Sequence, residues 1–213
     1  MTHQLAVLIS GSGTNLQAIM DAQKAGTLDA EIAVVFSNRA NAAGLERAAQ
    51  AGIPTASLDH RDYPDREQFD QAMIEVLTPY APDTVVLAGF MRILSAVFVR
   101  HYAGRLINIH PSLLPKYRGL NTHARALEAG DSEHGCSIHF VTEELDGGPL
   151  IAQAPIAVHA NDTVDSLSKR VQQREHLLYP QVLQWRAQDR LELTDNGVVL
   201  DGKPLPAQGY TLA

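Results

Sequence analysis

Cysteine is nearly absent: Cys136 stands alone in 213 residues, so no disulfide framework can staple the chain. The chemistry suits a reducing cytoplasm, where we expect the protein to reside. No apolar run approaches the ~20 residues that a bilayer-crossing helix needs. The opening residues, Met1-Thr2-His3-Gln4, carry neither the basic flank nor the apolar core of a secretion signal, and no such signal is expected. Positive charge is also short. A net charge of −7 argues against a nucleic-acid backbone as partner, which needs a basic face, but leaves room for a small anion at a local site. With 45% apolar residues and no low-complexity segment, the chain can bury a full core without further support.

What is present is an alternation of apolar runs and amphipathic stretches. Leu5 to Ile9 reads as a buried strand, followed by Leu16, Ile19 and Met20 at helical spacing. Ile32 to Phe36, Pro54 to Leu58, Thr84 to Ala88 and Leu106 to Ile109 read as further strands. Helical stretches fall at Ala43 to Ala51 and from Asp65, with Phe69, Met73, Val76 and Leu77 on one face. Apolar strands without strict alternation, separated by helices, predict an α/β fold. Its sheet is doubly wound and mostly parallel, with helices on both faces and ligands beyond the carboxyl ends of the strands. Past the loop Pro111 to Gly119, strands are expected at Cys136 to Val141 and Leu150 to Val158, paired with each other. A long helix from Thr163 to Ala187 follows, which Pro180 is expected to kink or break. Asp195-Asn196-Gly197 has the turn chemistry of a hairpin within Leu191 to Leu200. One continuous domain is expected.

Four stretches carry chemistry. Ser10-Gly11-Ser12-Gly13-Thr14-Asn15 joins the first strand to the first helix, where glycines and a helix N-terminus suit a phosphate; a tight capped turn is the plainer reading. The dinucleotide fingerprint is incomplete, because Leu16 stands where its last glycine would be. Ser37-Asn38-Arg39, at the end of the second strand, would still suit a ribose phosphate, so an NADP-dependent oxidoreductase stays open. Asn108 and His110 lie two apart at the end of a strand, so both side chains leave the same face. An amide and an imidazole there can donate to a developing oxyanion or relay a proton. Asp146 sits in the turn Glu143 to Pro149; it becomes chemical only if the fold carries it to His110. Gly89 to Leu94 follows another strand end, and its Met91, Ile93 and Leu94 around Arg92 suit either a flat ligand or an ordinary helix start. In the long helix, Glu175 interrupts the stripe of Val164, Leu167, Val171, Leu178, Val182 and Trp185, so an inward carboxylate there needs a partner. His123, His134 and His139 show no metal-ligand spacing, and no metal is expected.

Together, Ile9 to Leu16, Val86 to Leu94, Asn108 to Pro115 and Glu144 to Pro149 resemble the folate-dependent formyltransferase superfamily over nearly the whole chain. The glycine loop narrows the resemblance to the glycinamide ribonucleotide formyltransferases of purine synthesis. So does a length without the further domains of the methionyl-tRNA enzymes and formyltetrahydrofolate hydrolases. The resemblance implies a Rossmann-like first half, 1–110, that binds the nucleotide. It implies a folate-binding and catalytic stretch, 111–190, and a hairpin tail, 191–213. It implies Asn108, His110 and Asp146 as catalytic residues, and Gly13, Thr14, Asn15 and Glu175 as contacts to the nucleotide. Folate contacts are implied at Arg66, at Met91, Arg92, Ile93 and Leu94, at Asn108, and at Thr142, Glu143, Glu144, Leu145 and Asp146. It also implies a cis Leu114–Pro115 bond, 10-formyltetrahydrofolate as donor, 5′-phosphoribosylglycinamide as acceptor, no nucleic-acid or membrane partner, and a monomer or homodimer. A formyltetrahydrofolate hydrolase and a non-catalytic nucleotide sensor are the remaining alternatives.

Overall fold

The computed structural model describes residues 2–212, and the chain divides into two compact units, one up to Asn108 and one from Ile109 onward. The first unit alternates strand and helix: β1 (His3–Ile9), α1 (Thr14–Lys24), β2 (Ala30–Ser37), α2 (Ala43–Gln50), β3 (Thr55–Ser57), α3 (Arg66–Leu77), β4 (Thr84–Leu87), α4 (Ala96–His101) and β5 (Leu106–His110), whose last two residues enter the second unit. Its strands pair in parallel in the order β5-β4-β1-β2-β3. Leu5 to Ile9 are wholly buried, as expected of a central strand covered on both faces. On α3 the buried apolar residues are Phe69, Met73, Ile74 and Leu77, with Asp70 buried among them, whereas Val76 is only half-buried. Asp65 caps α3 by accepting from the Gln68 N–H at 2.8 Å, and that bond stops the helix from fraying backward.

Register aligns the carboxyl ends of the central strands. Leu8 pairs with Leu87 and Leu87 with Asn108, so β1, β4 and β5 end side by side. The loops leaving β1 and β4 and the side chain of Asn108 therefore share one edge of this sheet. A ligand site on a doubly wound sheet is expected there.

The second unit holds α5 (Thr122–Glu128), β6 (Glu133–Phe140), β7 (Leu150–Ala157), α6 (Val164–Ala187), β8 (Leu191–Thr194), β9 (Gly197–Leu200), β10 (Lys203–Pro204) and β11 (Tyr210–Thr211). β6 and β7 pair antiparallel, β11 adds in parallel to β7, and β8, β9 and β10 form a small antiparallel sheet around the two-residue turn Asp195-Asn196. The strands read from the sequence are all present, and pairing is mostly parallel. α6 departs from expectation. It runs unbroken through Pro180, because Leu178, Tyr179, Val182 and Leu183 on either side are fully buried. Their packing offsets the ~3 kcal/mol that an interior proline costs. Val164 also departs from the inward stripe: as the first residue of the helix it is 48% exposed. Among the described residues no helix is long and apolar enough to cross a membrane.

Candidate active site

The loop after β1 is held by close backbone packing. Gly13 has φ +71°, and a Cβ on it would lie 2.8 Å from Cα of Gly44, so conformation and space both demand glycine. The Gly44 N–H donates to the Gly11 carbonyl at 3.0 Å, and Arg47 Nε donates to the Ser12 carbonyl at 2.8 Å. α2 thus fixes the loop from behind. Gly13 is the N-cap of α1 and has no side chain to cap it with, while Gly11 and Ser12 are exposed. Thr14 is half-buried and Asn15 buried at the first turn. A glycine-lined helix start held in place from behind is suited to phosphate oxygens.

Met91 to Leu94 is not the start of a helix. The segment is an irregular connection after β4, and α4 begins only at Ala96, with Ser95 as its N-cap. Met91 is 62% and Ile93 56% exposed, which leaves two large apolar side chains unpacked. Arg92 lies over the Phe69 ring at 5.8 Å, and Arg66 is exposed at the first position of α3.

In the second unit, His110 is buried at the end of β5, two residues after Asn108. Its Nδ1 lies 3.4 Å from Asp146 Oδ2, and its Nε2 lies 2.8 Å from the Tyr117 carbonyl. The Tyr117 carbonyl can only accept, so Nε2 carries the hydrogen of that bond, and the carboxylate lies within ion-pair distance of Nδ1. The turn from Thr142 to Pro149 delivers the aspartate. Asp146 takes φ +48°, a left-handed conformation that Asp tolerates better than most residues, and its Oδ2 accepts from the Gly119 N–H at 2.8 Å. A Cβ on Gly148 would strike the Phe140 carbonyl, so the return into β7 also needs glycine. Glu144 pairs with Arg118, while Glu143 and Leu145 are exposed and Thr142 half-buried.

Three participants escaped the sequence reading. His139, on β6, places Nε2 3.8 Å from Asp146 Oδ1 while its Nδ1 donates to the Phe140 carbonyl at 2.9 Å. Burial pushes its pKa down, against the opposing pull of the Phe140 hydrogen bond and of the Asp146 charge. Tyr117 and Gly119 act only through main-chain atoms, which residue type does not advertise. His123 and His134 instead satisfy each other, Nδ1 to Nε2, at 3.1 Å. Burial, reinforced by His123, pushes the pKa of His134 down to about 4.

Glu175 lies on the inward side of α6 at 8% exposure, in line with Leu167, Val171 and Leu178. Its charge reaches Cys136, whose thiol burial has already pushed far above the ordinary range. The Leu114–Pro115 bond is cis.

The formyl transferase family profile matches residues 3–183. The chain is 58% identical over 206 residues to the phosphoribosylglycinamide formyltransferase of Escherichia coli, covering 97% of each. It is 46% identical over 196 residues to the human trifunctional purine biosynthetic protein adenosine-3, covering 92% of this chain and 19% of that one. Among solved structures, it is similar to the phosphoribosylglycinamide formyltransferase of Coxiella burnetii in complex with CHES (TM-score 0.96, 52% identity, 100% of both chains). It is also similar to glycinamide ribonucleotide transformylase 1 of Symbiobacterium toebii (TM-score 0.90, 44% identity, 93% of this chain and 94% of that one).

Proposed function

The chain belongs to the formyl transferase family, in its phosphoribosylglycinamide formyltransferase branch, and on that premise we propose how its own residues carry the reaction. The reaction is transfer of a formyl group to the amine of 5′-phosphoribosylglycinamide in purine biosynthesis; the donor is 10-formyltetrahydrofolate, and the amine attacks it directly. Gly13, Thr14 and Asn15 hold the nucleotide phosphate through amides at the start of α1, and Glu175 contacts the nucleotide elsewhere. Folate contacts fall to Arg66, to the Met91 to Leu94 segment and to the Thr142 to Asp146 turn; within the first of these segments the apolar side chains left unpacked at Met91 and Ile93 suit a flat ring.

Attack of a neutral amine on an amide-like formyl carbon puts negative charge on the formyl oxygen. Asn108 donates its side-chain N–H there, and protonated His110 donates a second hydrogen bond. Asp146 holds the imidazolium in place and, through water, takes the proton that the attacking nitrogen sheds. As the oxyanion collapses, the bond from the formyl carbon to the folate N10 breaks, and that proton passes to the departing nitrogen, releasing tetrahydrofolate. Gly119 keeps that carboxylate aimed, and His139 walls it from behind. Direct transfer needs the reacting atoms ~3–3.5 Å apart, which is why the enzyme carries separate motifs for two substrates. No step calls for a metal. The enzyme works in the cytoplasm, as a monomer or homodimer.

The observation that carries this reading is the buried His110–Asp146 contact of 3.4 Å, set two residues beyond Asn108 on the same strand. The test follows deformylated folate by absorbance with and without the glycinamide nucleotide. Product that forms only with the nucleotide supports transfer; equal rates without it make water the acceptor and the enzyme a hydrolase.

A further inference from the structure

The segment Met91 to Leu94 is suspended from two buried polar side chains. At its leading end the Met91 N–H donates to Ser10 Oγ at 2.8 Å. That hydroxyl donates in turn to Asn38 Oδ1 at 2.6 Å, and the Ser10 N–H donates to the Gly89 carbonyl at 3.2 Å. At its trailing end the Ser95 N–H donates to Asp70 Oδ2 at 2.5 Å. Between these points, Arg92, Ile93 and Leu94 make no backbone hydrogen bond among the described residues. Their placement is therefore inherited from the two ends.

Asp70 is the costlier of the two anchors. It is 1% exposed on the inner side of α3, and its second oxygen has no hydrogen-bond partner among the described residues. Burial pushes its pKa up, against the pull of Ser95 and of the charges on Arg66 and Arg92. A carboxylate so placed weakens the core relative to an apolar side chain of similar size. Arg66 and Arg92 are both in the set assigned to the folate. The carboxylate thus feels the charges of two cations from that set and accepts from the backbone amide that directly follows the segment.

We infer that Asp70 and Ser10 are positioning residues for folate binding, fixing the two ends of Met91–Leu94 so that the segment meets its ligand already ordered. This rests on assigning the segment to the folate. Preorganisation spares the ligand the entropy of ordering the segment, so its loss raises the folate KM more than it lowers kcat.

The experiment compares Asp70→Ala, Asp70→Asn and Ser10→Ala with the native enzyme, taking KM for each substrate, kcat, thermal midpoint and hydrogen exchange at the Met91 and Ser95 amides. Removing a hydrogen bond to a charged group should raise the folate KM about tenfold in Asp70→Ala, leaving the nucleotide KM within about twofold. Asp70→Asn keeps an acceptor and should recover most of that loss, and exchange at Ser95 should quicken only in the alanine variant. Ser10→Ala should raise the folate KM and quicken exchange at Met91; it decides the matter if Asp70→Ala does not fold. A native folate KM in the folded variants, or equal rises for both substrates, overturns the inference. Native enzyme without folate-dependent transfer would instead sink the functional reading itself.

Discussion

Replacing Asp146 with asparagine tests the reaction centre with the least disturbance. The amide has the shape of the carboxylate and keeps an oxygen for the Gly119 N–H, which now sits 2.8 Å from Oδ2. What it removes is a negative charge 3.4 Å from His110 Nδ1, where both side chains are below a tenth exposed. At an effective dielectric of 20, unit charges at about 4 Å attract by roughly 4 kcal/mol. Even half of that, lost from the state in which the ring is charged, is more than tenfold in rate. Loss of the proton acceptor adds to it, since a positioned acid or base is worth about 10²–10⁴-fold. Turnover in Asp146→Asn should therefore fall by roughly three orders of magnitude. The nucleotide affinity, measured by calorimetry, should stay within about twofold, because the glycine loop is untouched. Turnover within about tenfold of native, in a folded variant, would refute the role of the carboxylate.

Three further outcomes follow from the geometry. Gly13→Ala places a Cβ 2.8 Å from Gly44 Cα at φ +71°; it should lower stability by about 1–3 kcal/mol and weaken nucleotide binding, both measurable by denaturation and calorimetry. His134 is depressed to about 4 from an ordinary 6.5, so its contribution to stability is present above pH 6.5 and is lost as pH falls through 4. His134→Phe should flatten that part of the acid limb in equilibrium unfolding, and an unchanged slope would contradict it. Cys136 is buried, with its thiol ionisation pushed far upward, so native protein should resist iodoacetamide near pH 8, whereas unfolded protein labels readily. Rapid labelling of the native form would count against the packing around β6.

How much of this could be read in the sequence depended on range. The central strands announce themselves because a strand covered on both faces is apolar throughout, as Leu5 to Ile9 is. α4 and α5 did not, since six or seven residues hold too few turns to establish a period, and neither N-cap residue makes a side-chain cap. Pro180 misled because its local cost is visible in the chain while the burial that offsets it is not. At the candidate site, strand spacing placed Asn108 and His110 on one face at a strand end, while their assignment to catalysis came with the family resemblance. The approach of Asp146 was not: a turn beyond β6 delivers it, in a left-handed conformation that side-chain identity does not specify. Tyr117 and Gly119 were invisible for a simpler reason, since any non-proline residue there offers the same carbonyl and N–H.

Transfer of a labelled carbon from donor to nucleotide is the most direct trial of the whole account. With 10-[¹³C]formyltetrahydrofolate and 5′-phosphoribosylglycinamide in unlabelled formate buffer, carbon NMR should show the label in the formamide of the product nucleotide, undiluted by the pool. Label appearing in free formate, or unlabelled product drawn from the buffer, would mean that the amine does not attack the folate-borne carbon within the enzyme.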